Sequence, residues 1–156
     1  MKKSWVIILA MMPVICLLVG CSGPAEKEFT KDGFTITLTE NFKEEDAGGS
    51  FLKYKSDKDL INVFVEKSDN MEALTERGVS GEKEYAQMWL TILNKDEEII
   101  EADGLTYYRY VDGLIEKMHV AVKSPGAFYL VQFQTPADDF SKWFDQFKTW
   151  ANSIKA

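Results

Sequence analysis

The chain of 156 residues carries 25 acidic against 18 basic side chains, a formal charge of −7, which excludes a basic nucleic-acid binder. An apolar fraction of 46% with ten glycines and four prolines excludes a disordered or collagen-like chain. Two cysteines are too few for a disulfide scaffold or a cysteine zinc site, and one compact domain remains.

Lys2 and Lys3 precede an apolar run over residues 5–18, too short to span a bilayer comfortably. Residues 1–20 therefore read as an export signal. The run closes in Leu18-Val19-Gly20-Cys21, an apolar residue, a small residue and then cysteine, followed by Ser22. Here the chain resembles a bacterial lipoprotein. The resemblance implies diacylglycerol on the Cys21 thiol, cleavage after Gly20, and a new acylated amino terminus at the outward face of the cell membrane. Cleavage there leaves 136 residues and a charge of −9, because Lys2 and Lys3 are lost. Anionic lipid repels such a domain, so its hold on the membrane is the acyl chains, at about 0.8 kcal/mol per buried methylene. Cys16 leaves with the signal and Cys21 carries lipid, which excludes a cysteine nucleophile and an intrachain disulfide. Residues 21–28 read as lipidated cysteine and polar tether, and residues 29–156 as the folded domain.

Phe34, Ile36 and Leu38 alternate with Thr35, Thr37 and Thr39 directly after Asp32-Gly33, the pattern of a strand. Residues 40–50 are charged and end in Gly48-Gly49-Ser50, a loop. Runs at 51–55 and 60–66 flank Ser56-Asp57-Lys58-Asp59 and predict a hairpin. Residues 71–77 predict one or two helical turns ended by Gly78. Ser80 is a candidate N-cap for a second helix, with Glu82 and Glu84 in its first turn and an apolar face of Tyr85, Met88, Trp89, Ile92 and Leu93.

Asp103-Gly104, Asp112-Gly113 and Pro125-Gly126 then divide four strand-like runs into an antiparallel meander. A two-residue turn at Asp112-Gly113 pairs Val111 with Leu114 and Tyr107 with Met118, and sets His119 opposite Thr106. A turn at Pro125-Gly126 pairs Val122 with Tyr129, Met118 with Phe133 and His119 with Gln132. Both put Leu105, Tyr107, Met118, Val120, Val122, Tyr129, Val131 and Phe133 on one face. The other face carries Thr106, Tyr108, Tyr110, Lys117, His119, Ala121, Phe128, Leu130 and Gln132. The unbroken run Phe128-Tyr129-Leu130-Val131 predicts a strand buried on both sides, with helices on both faces of the sheet.

Thr135, Pro136 and Asp138 fit the N-cap, first and third positions of a helix running to about Ile154. Its stripe of Phe140, Trp143, Phe144, Phe147, Trp150, Ala151 and Ile154 reads as a seal on the apolar sheet face rather than a ligand box. The element order, together with Asp32-Gly33-Phe34 before Asn41-Phe42, the strand at 129–133 and the closing helix with Trp150 and Ser153-Ile154, resembles PsbP-like (Mog1/PsbP) domains, and most of all small lipoproteins of Gram-positive gut bacteria. The resemblance implies an α+β fold, an antiparallel meander sandwiched between helices with a long C-terminal helix packed on the sheet. It rests on apolar spacing and turns, so only the fold carries over.

Candidate chemistry is sparse. His119 is the single histidine, so a histidine metal cluster cannot be built, and its strand position suits a hydrogen-bonded sheet residue better than a catalytic base. The acidic run Asp96, Glu97, Glu98, Glu101 and Asp103 lacks an EF-hand loop and reads as a solvated edge. Glu44, Glu45 and Asp46 are the clustered acids relevant to a hydrolase. The sequence contains no GxGxxG, P-loop or GxSxG motif, and neither cofactor nor metal is expected. One constellation stands out. Tyr108, Lys117, His119 and Gln132 share a sheet face and could hold one small anionic or polar ligand; the plainer alternative is a polar ladder with Lys117 lying over Tyr108. The leading expectation is a membrane-anchored, non-catalytic binding or scaffold module for an envelope protein or small polar ligand. An envelope-associated hydrolase and an assembly factor for a membrane complex are the alternatives.

Overall fold

Asp32 and Gly33 both take positive φ, 47° and 87°, as a two-residue type I′ turn requires. They fold β1 (Glu26–Lys31) antiparallel onto β2 (Phe34–Thr39). The computed structural model describes residues 25–48, 51–56 and 60–156; Cys21 and the export signal lie outside the described residues. Residues 26–28, expected as tether, belong to β1. Only Phe29 of that strand is buried, so it carries no alternation for the sequence to display.

The chain continues through β3 (Phe42–Glu44), β4 (Leu52–Ser56), β5 (Asn62–Ser68), α1 (Met71–Glu76), α2 (Glu82–Ile92), β6 (Ile100–Ala102), β7 (Leu105–Asp112), β8 (Ile115–Ser124), β9 (Ala127–Pro136) and α3 (Ala137–Asn152). Strand β3 falls inside the segment expected to be loop; it is three residues long with Phe42 alone buried. The expected hairpin is present as β4 and β5. Strands β3 to β9 form one antiparallel sheet in the order β3-β4-β5-β9-β8-β7-β6. β9 is therefore central, which is why residues 128–131 are apolar without a break.

Helices cover both faces, as that run predicts. On one face α3 and the β1–β2 hairpin bury Tyr107, Met118, Val120, Tyr129, Val131 and Phe133 beneath Phe140, Phe147 and Trp150. The aromatic stripe is core: Phe147 stacks on Phe133 with centroids 5.3 Å apart, and Phe42 meets Trp150 edge-on at 5.2 Å. Such rings contribute roughly 1.5–3 kcal/mol each on burial. On the opposite face Tyr85, Ala86 and Leu90 of α2 cover Tyr108, Tyr110, Ala121, Phe128 and Leu130.

Four local expectations are corrected. In the β7–β8 turn the central residues are Gly113 and Leu114, with Gly113 at φ 64°. Asp112 pairs with Ile115 and His119 with Tyr108, not Thr106. The shift is two residues, so every side chain keeps its expected face. The β8–β9 register is as expected. Thr135 does not cap α3: it is still paired with Glu116 in β9, and Pro136, with ψ at 137°, is the cap residue. Gly81 rather than Ser80 precedes α2, and the Ser80 hydroxyl reaches the Glu84 side chain instead. The buried face of α2 is also rotated toward Ala86 and Leu90, leaving Ile92 55% exposed.

Candidate functional site

Antiparallel pairing assembles the site. β7, β8 and β9 set Tyr108 opposite His119 and His119 opposite Gln132, and β5 extends the row with Phe64 opposite Gln132. All four point toward α2, since directly paired residues of neighbouring strands share a face. The Tyr108 hydroxyl lies 2.9 Å from Nδ1 of His119. His119 is only 3% exposed. Burial, reinforced by the charge of Lys117 and weakly opposed by Gln132, lowers its pKa to about 3, so the imidazole is neutral at physiological pH. Burial likewise pushes the Tyr108 phenol far up, and it keeps its proton.

That proton settles the tautomer. If Nδ1–H donated to the phenol, both the phenol hydrogen and Nε2 would be left without partners, because the Tyr108 hydroxyl has no other acceptor among the described residues. If the phenol donates to Nδ1, one orphan remains, Nε2–H. The second arrangement leaves fewer buried polar groups unsatisfied. Nε2 itself is buried with no hydrogen-bond partner within 3.5 Å; the Gln132 side chain lies near enough to favour the protonated ring but not to close a bond of that length.

His119 and Leu130 form the buried floor of a cavity of about 310 Å³ between α2 and the sheet, with Phe64, Glu66, Gln132 and Gln134 of the sheet, Trp89 of α2 and Leu93 at its C-cap as half-buried walls. The Gln132 amide donates to Oε1 of Gln134 at 2.8 Å. Nε1 of Trp89 is also buried with no hydrogen bond within 3.5 Å, and it acts on the neighbouring Tyr85 phenol, partly offsetting the upward push of burial on that group.

Tyr108, His119 and Gln132 are thus brought together, and Lys117 is not. It shares their face, but Nζ turns away to Asp112, 2.7 Å distant, and lies over the ring of Tyr110, not Tyr108. The same ion pair holds the Asp112 carboxyl below its usual range. Sequence reasoning missed Phe64, Glu66, Trp89, Leu93 and Gln134. Gln134, two residues beyond Gln132 on the same strand, could have been read from alternation; the others needed the long-range placement of β5 and α2.

Four of the remaining acidic candidates are drawn into separate ion pairs. Glu44 approaches Lys31 at 3.8 Å and Glu45 reaches Lys53 at 2.8 Å, while Asp46 accepts from the Gly48 amide. Glu101 bonds Lys83 and Asp103 bonds Lys148. Among the described residues no three His, Cys, Asp or Glu side chains are grouped to hold a metal ion.

No family model and no curated protein matches the chain. Among solved structures it is similar to cyanobacterial PsbP (CyanoP) from Synechocystis sp. PCC 6803, with a TM-score of 0.63 and 14% identity over 88% of this chain and 95% of that one. Another match is LpqN, involved in cell envelope biogenesis of Mycobacterium tuberculosis, with a TM-score of 0.39 and 11% identity over 85% of this chain and 91% of that one. The chain has a PsbP-like fold, an antiparallel sheet with a long C-terminal helix packed against it.

Proposed function

We propose that this protein is a non-catalytic binding module, tethered through lipid on Cys21 to the outward face of the cell membrane, whose ligand site is the cavity between α2 and the sheet. One observation carries the binding reading: a buried imidazole at the cavity floor with one nitrogen bonded to Tyr108 and the other left open. Buried polar groups normally find partners, and a concave, mostly apolar site with a few convergent polar groups is the common form of a small-molecule pocket. The same imidazole is poorly suited to base catalysis. A pKa of about 3 makes it a weak proton acceptor near neutrality, and the group on Nδ1 is a phenol that donates rather than a carboxylate that would stabilise an imidazolium.

The tether rests on Leu18-Val19-Gly20-Cys21 and the short apolar run before it. Cys21→Ser is expected to release the protein from membranes, and its persistence in the membrane fraction after a high-salt wash would overturn the anchor. The binding reading is tested by native mass spectrometry of protein gently extracted from its own membranes. A small-molecule adduct is expected on the wild type and not on Leu93→Trp, which fills the cavity. An adduct equally abundant on both proteins would move the site elsewhere.

A further inference from the structure

Resting on the cavity reading, we propose that the ligand is a small uncharged molecule with an apolar or aromatic body and a carbonyl oxygen that accepts from Nε2–H of His119. The size follows from a cavity of about 310 Å³, at the small end of the roughly 300–1,000 Å³ of ligand pockets. The polarity follows from the tautomer: Tyr108 donates to Nδ1, so the atom left open is a donor and calls for an acceptor. The body follows from Phe64 and Leu130 on the sheet side and Trp89 and Leu93 on the helix side, which offer apolar surface to both faces of a flat group.

Charge is excluded by what surrounds the cavity. Lys117 is engaged with Asp112 at 2.7 Å and Lys53 with Glu45 at 2.8 Å, and Lys95 lies over the ring of Tyr110 outside the lining. An anion would enter a lining that offers no cation to compensate its lost hydration. A cationic head drawn toward Glu66 carries only donors and leaves the His119 N–H unmatched, a donor facing a donor. A neutral carbonyl satisfies the orphan atom and brings no uncompensated charge into the site.

Benzamide, benzoate and benzamidine have the same size and shape and differ in charge and in hydrogen-bonding groups. Titrated into the full chain in lipid nanodiscs and followed by NMR, benzamide is expected to bind at least tenfold more tightly than either ion. It should shift the Nε2–H resonance of His119 together with the side chains of Trp89 and Leu93. His119→Phe, which keeps a ring but removes the donor, should abolish that preference. Benzoate or benzamidine binding at these resonances as tightly as benzamide would overturn the ligand class while leaving the cavity as a binding site. Benzamide binding with an unmoved Nε2–H, or unchanged by His119→Phe, would overturn the role of the imidazole. If none of the three probes moves Trp89, Leu93 or His119 at millimolar concentration, both the ligand class and the cavity reading fall.

Discussion

The phenol of Tyr108 donates to Nδ1 of His119 across 2.9 Å, between residues directly opposite each other on β7 and β8. Both side chains are buried, so the bond orders the floor of the cavity and selects the Nε2–H tautomer. Tyr108→Phe removes the donor but keeps the ring, leaving Nδ1 without a partner. The expected loss is about 1–3 kcal/mol in urea unfolding. Nitrogen-15 NMR of the imidazole should change from a single Nε2–H form to a mixture, and an unchanged tautomer in the variant would refute the assignment.

His119 also makes stability depend on pH. Its pKa falls from 6.5 to about 3 on folding, chiefly by burial and secondly through Lys117. A group whose folded pKa is depressed contributes fully above its unfolded value and loses that contribution as pH falls toward the folded value. Between about pH 6.5 and 3 the unfolded chain takes up a proton that the folded chain refuses, at up to about 1.4 kcal/mol per pH unit. From pH 7 to 5 the wild type should lose about 2 kcal/mol that His119→Phe retains. Carboxylates titrate in both proteins, so the difference between their urea-unfolding curves isolates the histidine. Parallel curves would mean that the imidazole takes up its proton as readily in the fold as in the unfolded chain.

Thr135 gives a prediction whose sign separates two structures. Its hydroxyl is buried at the end of β9 without a hydrogen-bond partner. Thr135→Val keeps the β-branched shape and removes the orphan, so it should raise stability by about 1 kcal/mol. Were Thr135 the N-cap of α3, the same change would lower stability by about 1 kcal/mol. Thermal or urea unfolding reads the difference directly.

The turns show what the sequence makes legible. At Pro125-Gly126 the β8–β9 register follows from turn chemistry, and Val120 meets Val131 as expected. At Asp112-Gly113 the turn has Gly113 at its first central position rather than its second, and the sequence alone does not distinguish those frames. Because the resulting error is two residues, both faces of the meander are read correctly although Tyr108 is not placed against His119. The site is legible to the same degree. Tyr108, His119 and Gln132 can be assigned to one face, but the hydrogen bond between the first two depends on the frame of one turn. The walls are further out of reach: β5 lies beside β9 through a long-range pairing that sets Phe64 against Gln132, and no local pattern encodes it. Thr135 misleads because Pro136 and Asp138 complete a cap signature, while pairing with β8 keeps the backbone extended through Pro136.

The end of the chain fastens α3 to the β1–β2 hairpin. Thr35 and Lys155 exchange two backbone hydrogen bonds of 2.8 and 3.0 Å, and Oγ of Ser153 accepts from the Thr37 amide at 2.9 Å. These bonds join β2 to the tail of the helix that seals the main core, so they couple the small sheet to the large one. Deleting residues 155–156 removes the Thr35 pair and should lower stability by about 2 kcal/mol, at about 1 kcal/mol per net backbone bond. Hydrogen exchange at Thr35 should accelerate by tenfold or more while Thr37 stays protected by Ser153, and Ser153→Ala should expose Thr37 in turn. Equal acceleration of both amides in the deletion would show that the clasp opens as one unit, whereas no change at Thr35 would show that the tail does not hold the hairpin.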